Sequence, residues 1–176
     1  MAEPGLNATD AIFQLRQRHG GVIGSLRSVR VLGALGMRQS LSSLEISTKG
    51  PGLYEITAQL NRFVAESGLN TGLVTAFCRH TSASLLVQEN ADPDVRTDLL
   101  GFFERLVPKG MDWVIHRTEG PDDMPAHIKS ALTQTSIGIP VAGGAPMLGA
   151  WQGLYLFEHR DRPHRREVVL HLVGEP

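Results

Sequence analysis

Leu44-Glu45-Ile46-Ser47-Thr48 alternates apolar and polar positions, the period of a half-buried strand. Lys49-Gly50-Pro51-Gly52 supplies a turn, and Tyr54 and Ile56 prolong the alternation. Thr57 then stands as a helix N-cap, with Leu60, Phe63 and Val64 at helical spacing behind it and Gly68 just past the end. Two apolar runs predict strands over 72–78 and 83–88. Asp92-Pro93-Asp94 is a helix start: a capping acid, a proline at the first position, and a second acid favoured by the helix dipole. Val95, Leu99, Phe102, Phe103 and Leu106 form its expected buried stripe, and Pro108 ends it. Residues 108–125 read as a long charged loop, of a kind more often functional than idle. Pro125 opens a short helix. Strands follow at 136–141, 151–158 and 167–173, with Trp151 expected in the core. Strands with two or three interspersed helices favour an α+β domain whose sheet is mostly antiparallel.

Composition narrows this picture. At 176 residues the chain holds one domain with a real core. The residues before about 41 differ from the rest, with five arginines against Glu3 and Asp10. A short helix over 11–18 would stop at Gly20-Gly21. This segment, 1–40, is expected to lie outside the fold, with 41–176 as the single domain. Met37 stands as an alternative translation start, because it precedes the first clear strand. A net charge of −1 asks for neither nucleic acid nor an anionic membrane surface as partner. No apolar run approaches the length of a membrane-spanning helix. The lone cysteine, Cys78, excludes an intrachain disulfide and fits a reducing cytoplasm.

The candidate chemistry gathers where the two apolar runs end. One runs into His80; the other runs into Glu89 and Asn90. Buried strand ends hold polar groups rigidly while facing an opening. His116 lies in the long loop and His127 in the short helix. The three histidines match no local metal motif, but convergence in space would suit zinc or a similar ion. Glu89 is a candidate base, ligand or orienter of His80. The amides after Asp92 would favour an anion, and Arg160 and Arg162 could clamp phosphate. Against these stand plainer readings. Asp122 and Asp123 could also bind a metal but read more simply as a solvated loop pair, Arg160 and Arg162 as a solvated hairpin tip, and Cys78 as a small buried thiol. His19, His159, His164 and His171 read as structural or surface residues.

From Ser43 to Gly174 the chain resembles the YjbQ-like family, often described as secondary thiamine-phosphate synthases. The resemblance is carried in order by Ile46-Ser47-Thr48-Lys49-Gly50, His80-Thr81-Ser82-Ala83, Glu89-Asn90-Ala91-Asp92-Pro93-Asp94, Glu119-Gly120, Ala126-His127 and Trp151-Gln152-Gly153. It implies a mostly antiparallel β-sandwich with helices packed outside, assembled as a homotrimer. It also implies a site near the subunit boundaries on His80, His116 and His127, with Glu89, Asn90 and Gln152 at further polar positions. The implied activity is a weak joining of a pyrimidine diphosphate to a thiazole phosphate with release of pyrophosphate. His80, His116 and His127 would hold a divalent ion, zinc or magnesium, with Glu89 as base. Asn90, Asp92, Gln152, Arg160 and Arg162 would bind the phosphorylated metabolite. Two other readings stay open: a metal-dependent hydrolase of a small phosphorylated metabolite, and a trimer that binds a metabolite or metal without catalysis. The chain departs from the family pattern before His127, where Asp122-Asp123-Met124-Pro125 replaces a segment that usually carries an asparagine and a further histidine.

Overall fold

The computed structural model describes the backbone of residues 27–32 and all of residues 36–176. The elements run β1 (Arg27–Leu32), β2 (Arg38–Ser47), β3 (Gly52–Glu55), α1 (Thr57–Ser67), β4 (Thr71–Cys78), β5 (Ala83–Glu89) and α2 (Pro93–Leu106). They continue with α3 (Asp123–Leu132), β6 (Ser136–Ala142), β7 (Ala145–Pro146), β8 (Gln152–Glu158) and β9 (Arg165–Glu175). Every ladder is antiparallel. A six-stranded sheet runs β1-β2-β9-β4-β6-β7 and a three-stranded sheet runs β3-β8-β5. The fold is therefore α+β, as the pattern predicts.

The period-2 alternation sets which side of the large sheet is inside. Leu44, Val74, Ile139 and Leu170 face inward from β2, β4, β6 and β9. They meet Leu60, Phe63 and Val64 of α1, and Leu85, Leu154 and Leu156 of the small sheet, in one core. At the β4–β9 crossing Gly72 lies opposite Gly174. A Cβ on Gly174 would sit 2.9 Å from the Gly72 Cα, so neither position has room for a side chain. The outer side of β8 carries Tyr155 and Phe157, which α2 covers through Arg96 and Phe103.

Four expectations need correction. The sheet begins inside the segment placed outside the fold, because β1 pairs along β2 from Arg27↔Ser43 to Leu32↔Arg38. The expected helix over 11–18 lies outside the described residues. Thr57 is the first helical residue rather than the cap. Its hydroxyl is spent on Glu55 and on the Leu154 amide. The α2 stripe is not buried: Phe102 and Leu106 are 54% and 52% exposed. Trp151, expected in the core, is 65% exposed. Helical spacing shows that the α2 residues share a face, and says nothing of whether this chain or another surface covers it.

Candidate functional site

Two hinge points bring the site together. The first is the β4–β5 connection, 79–82, which carries His80 and Thr81. The second is the start of α3, where Asp122 and Asp123 enter the helix. Asp123 is only 1% exposed. Its Oδ2 accepts from His116 Nε2 at 2.8 Å and lies 3.5 Å from His127 Nε2. One carboxylate oxygen thus serves both histidines, whose rings stand 5.6 Å apart, centre to centre.

The His127 tautomer follows from its other nitrogen. Nδ1–H donates to the Thr81 carbonyl at 3.0 Å. In the neutral ring, Nε2 then carries a lone pair pointed at the Asp123 carboxylate. In that state two acceptors face each other at 3.5 Å, and a cation between them would satisfy both. A second hydrogen bond that fixes the free nitrogen is the usual support of a metal-ligating histidine. The ligating atoms of His116, Asp123 and His127 all lie within 4.8 Å of one another, close enough to share one ion.

Arg160 holds the carboxylates in place. Its guanidinium bonds Asp122 Oδ2 through Nε at 2.8 Å, Asp123 Oδ1 through Nη1, and the Glu119 carbonyl through Nη2 at 2.8 Å. Burial works against ionisation of Asp122, but the Asp161 amide and Arg160 outweigh it and hold that carboxyl below its ordinary range. Asp122 and Asp123 are thus a buried pair rather than a solvated loop, and Arg160 is buried rather than a solvated tip. With its donors committed to protein oxygens, Arg160 has little left for a substrate phosphate. Arg162 remains exposed.

His80 does not join the cluster. Its Nε2 accepts the Glu167 backbone N–H at 2.8 Å. Burial first, then the Arg166 guanidinium, lowers its pKa and keeps the ring neutral. The neighbouring Cys78 is a buried thiol bonded to the Ala83 carbonyl, and burial pushes its pKa up.

Glu89, Asn90 and Gln152 lie at the far end of the small sheet. Ala83 pairs with Glu158 at the His80 end of β5, and Glu89 pairs with Gln152 at the other. Six residues of strand rise by about 20 Å. Within one chain these polar groups cannot reach His116 or His127. Asp92 caps α2 by accepting the Asp94 amide at 2.9 Å. Gln152 Oε1 accepts from the Gly149 amide at 2.8 Å.

Three buried polar groups escape a reading of the sequence. Glu158 is fully buried against Arg166. His159, expected as a structural or surface residue, is buried and bonded to Ser84 Oγ through Nε2 at 2.9 Å. Burial, with Lys129 behind it, lowers its pKa to about 3, so the ring is neutral. Asp123, a possible metal ligand by sequence, is the third only in its burial, since the sequence around it reads as a solvated loop. Acids and arginines at sequence separations of 8 and 37 carry no local signal of pairing.

A model of the UPF0047 protein YjbQ-like family matches residues 42–175. A UPF0047 protein of Synechocystis sp. is 55% identical over 138 residues, covering 78% of this chain and 94% of the relative. The UPF0047 protein YjbQ of Escherichia coli O157:H7 is 42% identical over 134 residues, covering 76% of this chain and 96% of the relative. Among solved structures, a conserved protein of the yjbq/upf0047 family from Clostridium acetobutylicum is similar at TM-score 0.66 and 37% identity. That match covers 73% of this chain and 98% of the other. The chain belongs to the YjbQ-like family.

Proposed function

We propose that this YjbQ-like protein is a cation-assisted enzyme acting on a small phosphorylated substrate, with the cation held by His116, Asp123 and His127. The supporting observation is the convergence of the ligating atoms of His116, Asp123 and His127, all within 4.8 Å of one another, with His127 held by the Thr81 carbonyl. Two imidazoles and one carboxylate suit zinc better than magnesium, which prefers an all-oxygen shell. When bound, the ion would supply Lewis-acid stabilisation of charge on a phosphate or pyrophosphate group.

The chain's own residues have distinct tasks. Thr81 orients His127, Arg160 anchors both aspartates, and the partly exposed His116 leaves the cluster open to a ligand. Ion binding would displace the Nε2 proton of His116 that now bonds Asp123. The more specific reaction is the joining of a pyrimidine diphosphate to a thiazole phosphate with loss of pyrophosphate. The resemblance supports that specific choice; the geometry supports the broader one. The same cluster would serve a hydrolase, and the products formed from a phosphorylated substrate separate the two readings.

Elemental mass spectrometry of the untagged protein is the test. About one zinc ion per chain is expected, removable by chelator with loss of turnover. A protein without bound metal, unable to take up zinc, would overturn the reading.

The proposal includes a homotrimer, in which one copy brings the Glu89, Asn90 and Gln152 end of its small sheet to the histidine cluster of the next. The outer side of the large sheet supports it. Leu41, Leu73 and Phe77 are exposed there, and Leu73 and Phe77 pair with Val173 and Val169 of β9. An apolar face of this kind marks an interaction surface. Ile115, 97% exposed beside His116, is a second such place. Light scattering is expected to give three times the chain mass of 19.2 kDa. A monomer mass at micromolar concentration would refute the assembly.

A further inference from the structure

Between α2 and α3 the chain arches over a cavity of about 260 Å³. The arch lines it with Met111, Val114 and His116, and the start of α3 lines it with Met124 and Pro125. Both ends of the arch are tied to the body of the protein. At one end Lys109 Nζ donates to the two Asp161 carboxylate oxygens, each at 2.7 Å. Asp161 is itself fixed, since its amide donates to Asp122 Oδ2 at 3.0 Å. At the other end the Glu119 carbonyl accepts from Arg160 Nη2 at 2.8 Å. Inside these ties the chain can bend. Gly110 has φ +76°, a left-handed conformation that residues with a Cβ rarely adopt. Thr118 is exposed and makes no hydrogen bond among the described residues.

The stretch between those two bends holds itself together. Arg117 donates to the Val114 carbonyl at 2.7 Å and to the Asp112 carbonyl at 2.9 Å. The Val114 amide donates to the Met111 carbonyl at 3.1 Å. All three bonds stay within the arch. Among the described residues, a single hydrogen bond leaves 110–118 for the rest of the protein: His116 Nε2–H to Asp123 Oδ2, at 2.8 Å. Val114 is buried, but its contacts are apolar and set no direction. Trp113 and Ile115 are 70% and 97% exposed, so nothing holds the arch from its outer side.

We infer that residues 111–117 form a flap, pivoting at Gly110 and Thr118, with His116 as its catch. With His116 bound at Asp123 the flap covers the cavity; when that bond breaks, the flap opens and bares the cavity and the cluster together. An internally braced segment moves as a unit, and a few flanking residues absorb the change in φ and ψ. One exchangeable bond at its middle then decides between two positions. A cation shared by His116, Asp123 and His127 would replace that bond with coordination to two side chains of α3, and so hold the flap shut. Closure and cation binding are then linked, and each favours the other by the same factor. Locking by the cation rests on the proposed cation site; the flap and its His116 catch stand without it.

The test is limited trypsin digestion of the full-length protein, with cleavage after Arg117 followed by mass spectrometry. Trypsin activity in each buffer is calibrated on a small peptide substrate. Cleavage needs the braced segment to open, so its rate reports the open population. In metal-free protein, His116→Ala is expected to be cut there at least about fivefold faster than wild type, the scale of losing one hydrogen bond to a charged group. His127→Ala, which leaves the His116–Asp123 bond in place, is expected to be cut at the wild-type rate. Zinc is expected to slow cleavage of wild type by about tenfold, within the usual range of coupling between two events, and to change neither variant. Cleavage of His116→Ala at the wild-type rate overturns the inference. So does equal acceleration in His127→Ala, or the absence of cleavage after Arg117 in all three proteins. Acceleration confined to His116→Ala, with no effect of zinc on wild type, would uphold the flap and sink the cation site, so the two failures are distinguishable.

Discussion

His127→Ala is expected to leave the protein without its cation and to lower turnover of a phosphorylated substrate by about a hundredfold or more. Loss of a group that merely orients a ligand already costs about 10–100-fold in affinity or activity, and His127 is placed as a ligand. Its Nδ1–H is fixed on the Thr81 carbonyl, and Nε2 has only the Asp123 carboxylate before it. No described neighbour replaces that lone pair. The fold should survive, since His127 is half-buried and alanine is the best helix former in the body of α3. Arg160 would still compensate Asp122 and Asp123. The informative comparison is His80→Ala. His80 Nε2 already accepts the Glu167 amide, so this variant should lose about 1 kcal/mol of stability and keep its ion. Metal analysis of the two variants, beside thermal denaturation, decides between them. Retention of zinc by His127→Ala with loss in His80→Ala would move the site to the β4–β5 connection.

The contrast between His80 and Asp123 shows what can be read along the chain. The strands are legible because burial on one side leaves a period of two, as in Leu44-Glu45-Ile46. The start of α2 is legible because a capping acid followed by proline acts locally, and the Asp92 bond to the Asp94 amide confirms it. Two of the three candidate histidines do converge. The third ligand is legible only as one option, because Asp122-Asp123 beside glycine and proline has the composition of a solvated loop. What buries the pair is Arg160, and its position in space comes from the end of β8 rather than from any nearby pattern. Glu89 does end a strand, but β5 carries it to the end of the small sheet away from the His116 of its own chain. Strand ends are easily recognised; which ends meet is decided by topology.

Glu158→Gln is expected to destabilise the protein by about 3–5 kcal/mol, the cost of leaving a buried charge without its partner. Glu158 is fully buried, and Arg166 nearly so. Oε1 accepts from Arg166 Nη2 at 2.6 Å and from the His159 and Arg160 amides, each at 3.0 Å. Oε2 accepts from Arg166 Nε at 2.7 Å and from the Thr48 hydroxyl at 2.8 Å. Glutamine would present an NH₂ group to donors on one side and leave the guanidinium unneutralised. For a chain of this length the loss should appear as a fall in Tm of roughly 10 °C. Burial raises the Glu158 pKa, but the Arg166 hydrogen bonds, the Arg160 amide and the Thr48 hydroxyl outweigh it and leave the carboxyl below its ordinary value. A depressed folded-state pKa contributes stability that is complete above the unfolded value, about 4.3 for glutamate. That contribution drains as pH falls from there through the folded value. Wild type should therefore lose stability over that acid range more steeply than Glu158→Gln. The consequence reaches the site, because Arg166 Nη2 also bonds the Ser82 carbonyl and hydroxyl, at 3.3 and 3.2 Å. Ser82 follows Thr81, whose carbonyl orients His127. Glu158→Gln should thus weaken zinc affinity as well as stability, although neither Glu158 nor Arg166 belongs to the metal-ligand set. Replacing both partners, as Glu158→Leu with Arg166→Met, should recover much of the stability, since an apolar pair leaves no charge unpaired. It should not restore zinc affinity, because the anchor on Ser82 is gone. A Glu158→Gln variant as stable as wild type, with an unchanged acid profile, would show that the pair contributes nothing to either.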